Sequence, residues 1–334
     1  MAEKPTNQNV SLRRVHLTFG IVTDIQYADC KDGMDYTYTR RRYYRNALNQ
    51  VKAAILCMST NSHAVSFLLQ LGDIIDRKSS TQGAESCRKA LNSVLNVLSS
   101  LHRPIYHVIG NHDLQCFPRT FYIDSLLKNI SRNMSSATFP HLHYTFLAHE
   151  KLRVVALDTF EISVLGYEDQ LDNVSYKLAQ EMIRAHNPNV DTSDITGLEG
   201  VNRRWASYNG GVSKDQLQWL AQVLEKAKSC EENIIIITHV PVVCDDDQYL
   251  AWNFSEIVDV IAQFECVIGV FSGHRHEGGS SKVGTIHHIT FPGIIETPPE
   301  VHAFAVLQMT DTDLEIIGVG RVPCYRIPLC YPVK

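Results

Sequence analysis

Five short clusters in this chain carry side chains that could hold metal ions and move protons. They are Asp24 and Gln26 in an Asp-x-Gln motif, Asp73 with Asp76 and Arg77 after Gly72, and Asn111-His112-Asp113 after Gly110. The other two are His239 before Val240-Pro241, and His274 with His276 after Gly273. The donors are carboxylate, amide and imidazole, without thiolate. Such a set suits Mn²⁺, Mg²⁺ or Fe²⁺ better than a structural zinc, which favours cysteine. There are enough donors for two ions. A metal pair about 3.5–4 Å apart needs an anionic ligand that touches both, and a carboxylate such as Asp73 can bridge. Two cations flanking one water acidify it enough to produce hydroxide near neutral pH. The chemistry this points to is metal-dependent hydrolysis of a phosphoester or phosphoanhydride.

Each cluster alone has a plainer reading. Gly-Asp and Asn-His pairs suit turns, and a lone histidine after a buried strand suits a core or edge position. His274 and His276 say more, because two residues apart on an extended stretch share one face. The weight lies in the coincidence, since each cluster follows a run that reads as a buried strand. These runs are 15–22 before Asp24, 65–71 before Asp73, 105–109 before Asn111, 233–238 before His239 and 267–271 before His274. An open α/β sheet places its active site at the C-terminal ends of its strands.

Helical spacing of apolar residues predicts helices over 42–58, 84–98, 213–228 and 255–264, with a shorter one over 119–128. Ser213 to Gln216 reads as a capping box. Segments 144–147 and 152–157 read as a hairpin that carries the sheet onward to Asp158. Strands are expected at 285–290, 303–309 and 314–319. The alternation of strand and helix predicts an α/β fold. No linker separates the clusters, so one domain over 1–334 is expected. Residues 160–211 break the rhythm and form a candidate lid or specificity element.

The net charge of −5 offers no basic surplus for nucleic acid. No transmembrane run or leader is evident, residues 1–10 being polar. Nine scattered cysteines without a Cys-x-x-Cys pair fit reduced thiols and a cytoplasmic chain. The sequons at Asn129 and Asn253 read as chance matches. A monomer is favoured.

Taken in order, Asp-x-Gln, Gly-Asp-x-x-Asp-Arg, Gly-Asn-His-Asp, a strand-end His and Gly-His-x-His resemble the calcineurin-like metallophosphoesterase superfamily over about residues 15–290. That superfamily usually has Asp-x-His at the first motif. Gln26 in its place resembles the branch of manganese-dependent ADP-ribose/CDP-alcohol diphosphatases. The resemblance implies a central β-sandwich flanked by helices, four layers in all, with a dinuclear site at the strand ends. It implies that Asp24, Gln26, Asp73 and His276 hold one metal and that Asp73, Asn111, His239 and His274 hold the other. It implies that His112 donates a proton to the leaving oxygen, oriented by Asp113, and that Asp76 and Arg77 support the ligands from behind. A neutral Gln26 in place of histidine weakens one site, which favours exchangeable Mn²⁺, with Mg²⁺ as a weaker substitute. The implied substrates are small nucleoside diphosphate compounds: ADP-ribose, CDP-choline, CDP-ethanolamine and CDP-glycerol. Tyr36, Trp205, Tyr208 and Trp252 are aromatic candidates for the base.

Other members of the superfamily remain as alternatives. Asp76 stands where purple acid phosphatases have tyrosine, and Lys78 stands where protein serine/threonine phosphatases have glycine. Another phosphomonoesterase or phosphodiesterase of the superfamily is one alternative reading, and a catalytically silent metal-binding scaffold is a second.

Overall fold

The computed structural model describes residues 14–60, 63–127 and 141–333. The expectations for residues 1–10, for Lys128 and for the Asn129 sequon lie outside them. In chain order the strands are β1 Val15–Val22, β2 Gly33–Met34, β3 Arg41–Arg42, β4 Leu68–Gln70, β5 Ile105–His107, β6 Tyr144–His149 and β7 Leu152–Ala156. They continue with β8 Asn233–Ile237, β9 Val267–Ser272, β10 Gly279–Val283, β11 Ile286–Thr290, β12 Ala303–Thr310, β13 Asp313–Gly320 and β14 Tyr325–Pro328. They form two six-stranded sheets, ordered β14-β13-β12-β1-β4-β5 and β10-β11-β9-β8-β7-β6, with β2 and β3 as a separate ribbon.

The parallel strands of the first sheet are β1, β4 and β5. Those of the second are β7, β8, β9 and β11. All of β4, β8 and β9 is buried, as expected for apolar strands covered on both faces. The hairpin of β6 and β7 differs from the sequence expectation. It opens a second sheet rather than extending the first, because its aromatic face packs across on the first. Phe146 stacks on Tyr106 at 3.7 Å and meets Phe67 edge-on at 5.5 Å. The Tyr144 hydroxyl donates to the His107 carbonyl at 2.8 Å. One continuous cluster of buried side chains runs through both sheets and the helices on them.

The helices are α1 Asn46–Met58, α2 Ala84–Ser99, α3 Asn111–Leu114, α4 Arg119–Tyr122, α5 Val174–His186, α6 Lys214–Ser229 and α7 Phe254–Ile261. Helix α1 packs on β1, β12 and α2, and α6 packs on β8 and α7. The order of layers is therefore helix, sheet, sheet, helix. Within 160–211, helix α5 went unread, because its apolar stripe is thin: Ala179 and Ile183 are its buried residues.

Ser213 caps α6 by accepting from the Gln216 amide at 3.0 Å, but the reciprocal half of the capping box is absent. The Gln216 side chain instead accepts from the Asp158 amide (2.8 Å) and donates to the Asp158 carbonyl (3.1 Å) and to Glu161 Oε2 (2.6 Å). It thereby fixes the chain where it leaves β7 for the insertion. Gln216→Ala should strip these three bonds and leave buried groups unpaired, lowering stability by about 1–3 kcal/mol. Urea unfolding followed by far-ultraviolet circular dichroism checks this, and an unchanged midpoint would refute it.

Candidate metal centre

The five clusters lie at the C-terminal ends of β1, β4 and β5 in one sheet and of β8 and β9 in the other. The strands stop pairing regularly there, yet the backbones stay joined. The Asp24 amide donates to the Gly72 carbonyl at 3.1 Å, and the Gln26 amide to the Asp73 carbonyl at 2.9 Å. Asp24, Gln26, Asp73 and His274 have φ of 47°, 43°, 56° and 68°. This left-handed conformation costs a non-glycine residue free energy and persists only where the surroundings enforce it. Part of the enforcement is Asp113. Its buried carboxylate accepts from the amides of Asp73 (2.8 Å), Ile74 (2.9 Å), Ile75 (3.3 Å) and Gly110 (3.0 Å). Gly72 and Gly110 have no room for a Cβ, which would strike the His239 ring and the Asp73 side chain respectively.

What converges inside these turns is a set of lone pairs. The His239 Nδ1 lies 2.8 Å from the Leu71 carbonyl, which can only accept, so Nδ1 carries a proton and Nε2 is the nitrogen turned to the site. That Nε2 faces Asn111 Oδ1 at 3.2 Å and Asp73 Oδ2 at 3.6 Å, and Asp73 Oδ2 also accepts from Gln26 Nε2 at 2.8 Å. The Asn209 amide nitrogen donates to the Arg204 and Gln248 carbonyls at 2.9 and 2.7 Å. Its Oδ1 therefore accepts from His274 Nε2 at 2.8 Å, leaving a bare Nδ1 on that ring. Burial, then the neighbouring His239, holds His274 well below the usual imidazole range, so it is neutral. Gln26 Oε1 is buried without a hydrogen-bond donor among the described residues, and Asp24 Oδ1 meets His276 Nε2 at 3.3 Å. The donor atoms of Asp24, Asp73 and His239 lie within 4.8 Å of one another. Buried oxygen and nitrogen acceptors crowded into one space are costly unless a cation lies between them, so these residues fit divalent ions.

His276 sits in a charge network. Its Nδ1 is 2.8 Å from Glu296 Oε1, and its Nε2 is 3.3 Å from Asp24 Oδ1. Arg40 and Arg42 flank the same Glu296, at 3.2 and 3.3 Å. Burial opposes charge on both partners, but mutual attraction prevails, pushing His276 up to about 9 and Glu296 down to about 2. Asp24 is likewise held below the usual carboxylate range by His276 against the effect of burial.

The His112 ring differs from its expected setting. Asp113, spent on four backbone amides, does not orient it; Asp76 does. His112 Nδ1 lies 3.1 Å from Asp76 Oδ2 and 3.2 Å from the Arg77 amide, which donates to it. Charged, the ring can donate to Asp76 through Nδ1. Neutral, it can accept from Arg77 and keep its proton on Nε2. Burial opposes ionisation of Asp76, and His112 with Arg42 outweighs it, so the Asp76 carboxyl is held low. The Arg77 side chain is exposed and forms no ion pair among the described residues, so it does not act from behind the ligands as expected.

A cavity of about 190 Å³ opens over this floor. Its walls include Arg40, Arg42 and Arg77, the aromatic Tyr36, Tyr208 and Tyr249, and Ser193 and Ser207 from the insertion. Trp205 and Trp252 are not on it. Trp205 stacks on His186 at 4.0 Å and leans on Trp252, whose Nε1 donates to the Ala206 carbonyl at 3.2 Å. Both indoles are spent on a small core that seats the insertion, which corrects the expectation that they face a base. Asn209 and Glu296 escaped sequence reasoning. Asn209 stands in an Asn-Gly-Gly sequence that suits a turn, and Glu296 follows no strand-end motif.

The two sheets, the strand-end donors and the cavity above them define a metallophosphoesterase. The profile of the calcineurin-like phosphoesterases matches residues 17–278, and the chain belongs to that family. Two relatives are each called manganese-dependent ADP-ribose/CDP-alcohol diphosphatase. The human protein is 33% identical over 97% of this chain and 96% of its own length. That of Xenopus tropicalis is 36% identical over 92% of each. The crystal structure of a dimetal phosphatase from Danio rerio superposes with a TM-score of 0.87 at 32% identity, covering 95% of this chain and 100% of the other. No described helix is long and apolar enough to cross a membrane.

If Asn209 and Glu296 orient ligand imidazoles, Asn209→Ala and Glu296→Gln should each weaken divalent metal binding about 10–100-fold without unfolding the chain. Calorimetric titration of chelator-treated protein with Mn²⁺ measures this, and wild-type affinity in both variants would remove them from the centre.

Proposed function

We propose that this chain is a Mn²⁺-dependent diphosphatase. It cleaves ADP-ribose and CDP-alcohols such as CDP-choline, CDP-ethanolamine and CDP-glycerol to a nucleoside monophosphate plus ribose 5-phosphate or a phospho-alcohol. The observation that carries the reading is the juxtaposition in one cavity. Inward lone pairs form its floor, and cationic and aromatic side chains form its walls. The names of relatives aligned over nine-tenths of the chain or more support the substrate class.

Asp24, Gln26, Asp73 and His276 would hold one ion, and Asp73, Asn111, His239 and His274 the other, with Asp73 common to both. When bound, such ions supply Lewis-acid activation of water and neutralise charge at phosphorus. Mg²⁺ is the weaker substitute. The side chains do the rest. His112 presents Nε2 to the cavity as proton donor to the departing phosphate, and Asp76 steadies the charged and Arg77 the neutral ring. The free guanidinium of Arg77, with Arg40 and Arg42 behind it, gives the diphosphate a cationic wall. The exposed ring of Tyr36, whose hydroxyl donates to Gln248 at 3.2 Å, offers a face for the base, with Tyr208 across the cavity.

The reading includes one domain over 1–334, with 160–211 as its specificity element, and a monomer. The nine unpaired cysteines support a reducing, cytoplasmic setting. Hydrolysis of ADP-ribose, CDP-choline and a chromogenic phosphodiester, with and without Mn²⁺, tests the whole. Absence of turnover on all three with Mn²⁺ would overturn it.

His112→Ala should lower kcat roughly 10²–10⁴-fold with metal content unchanged, measured by elemental analysis beside steady-state kinetics. Loss of metal would make His112 a ligand or support instead. Tyr36→Ala should raise KM for ADP-ribose by the equivalent of about 1–3 kcal/mol of stacking. It should leave a chromogenic ester without a base unaffected; equal losses on the two substrates would count against the stack.

A further inference from the structure

Away from the cavity, a second group of donors comes together where three elements meet. His141 and His143 precede β6, and Glu161 lies at the start of the insertion. One donor atom from each lies within 4.8 Å of the others. We propose that His141, His143 and Glu161 bind one divalent transition-metal ion of the zinc class. The ion would pin the start of the insertion to the edge of the second sheet.

His143 is 8% exposed, and its Nδ1 is buried with no hydrogen-bond partner among the described residues. An unsatisfied imidazole nitrogen at that depth costs free energy that a ligand would recover. Its ring is held in place by Trp219 of α6, 4.5 Å away. Burial, ahead of every other influence, lowers the tendency of His143 to protonate, so the lone pair of one ring nitrogen is available. Glu161 is also positioned in advance. Its Oε2 accepts from the Ser213 amide at 3.0 Å and from Gln216 Nε2 at 2.6 Å, which leaves Oε1 without a protein donor among the described residues. Arg119, the nearby cation, is already paired with Asp158 and so does not repel a second cation as a bare charge would.

Two imidazoles and a carboxylate, with room for a water, form a donor set that zinc takes readily. Zinc–ligand bonds of about 2.0–2.2 Å put tetrahedral donors roughly 3.4 Å apart. The group therefore has to contract, and His141, whose side chain is exposed, is the member free to move. The main centre differs in kind, since its donors are mostly oxygen and it lies between the two sheets. This inference does not rest on the proposed substrate.

The test is a metal count. Chelator-treated chain is dialysed against excess Zn²⁺, freed of loose metal and analysed. Wild type should hold one more Zn²⁺ per chain than His141→Ala, while Mn²⁺-supported phosphodiester hydrolysis by the variant stays at the wild-type rate. Co²⁺ provides a second signal, because the visible absorption of a tetrahedral site should be present in wild type and reduced in the variant. His143→Gln, confirmed as folded by circular dichroism, should lose the same ion. Equal Zn²⁺ counts in wild type and His141→Ala would overturn the proposal. Loss of Mn²⁺-supported turnover in step with the lost ion would also overturn it, since His141 would then act through the main centre.

Discussion

The carboxylate of Asp113 holds the strand ends together. Four backbone amides, three from the turn after β4 and one from the turn after β5, point at its two oxygens. Without that acceptor these buried amides would have no partner, and each would cost about 1–3 kcal/mol. With it, the turn closes tightly enough to keep Asp73 at positive φ, and Asp73 Oδ1 can accept from the His112 amide at 2.8 Å. The central carboxylate of the site is thus aimed by the backbone on either side of it. Gly72 and Gly110 are required by the same closeness, since a methyl at either place would occupy the space of a donor group.

Around that clamp the fold brings together acceptors that would separate if free. Two sheets each deliver part of the set, and neither sheet alone holds enough for two ions. The sandwich interface, with Tyr106 on Phe146 and Phe67 beside them, therefore also sets the separation of the donors. The orienting partners behind the imidazoles, a carbonyl for His239, Asn209 for His274 and Glu296 for His276, choose which nitrogen faces the site. Glu296 is itself held by Arg40 and Arg42, so charge is balanced outward in layers from acid to base.

The insertion is more tightly built into the site than a surface lid. Asn209 reaches the His274 ring, while Trp205 and Trp252 form a small core beneath it. Ser193, Ser207 and Tyr208 then arrive at the cavity on a seated element. Residues that line the cavity and the Asn209 side chain that meets His274 share one segment, so a change in how the segment is seated is felt by both.

Much was legible in the sequence because its signals are local. Apolar runs of strand length, four consecutive isoleucines and a serine cap are each read within a few residues, and the donors that follow them mark the family. Other features depended on contacts between segments that are remote in the chain. Whether the hairpin at 144–156 continued one sheet or began another was decided by aromatic packing between layers. Asp76 and Asp113 belong to different motifs, and only the closed turns show that Asp113 holds backbone while Asp76 faces His112. Asn209 and Glu296 carry no motif, because an orienting group needs only the right distance and the right atom. The sequence by itself determined which residues could carry the chemistry and which elements would deliver them. The tertiary structure decided which nitrogen of each imidazole faces the site and which aromatic rings are spent on packing, because both depend on partners that chain proximity does not supply.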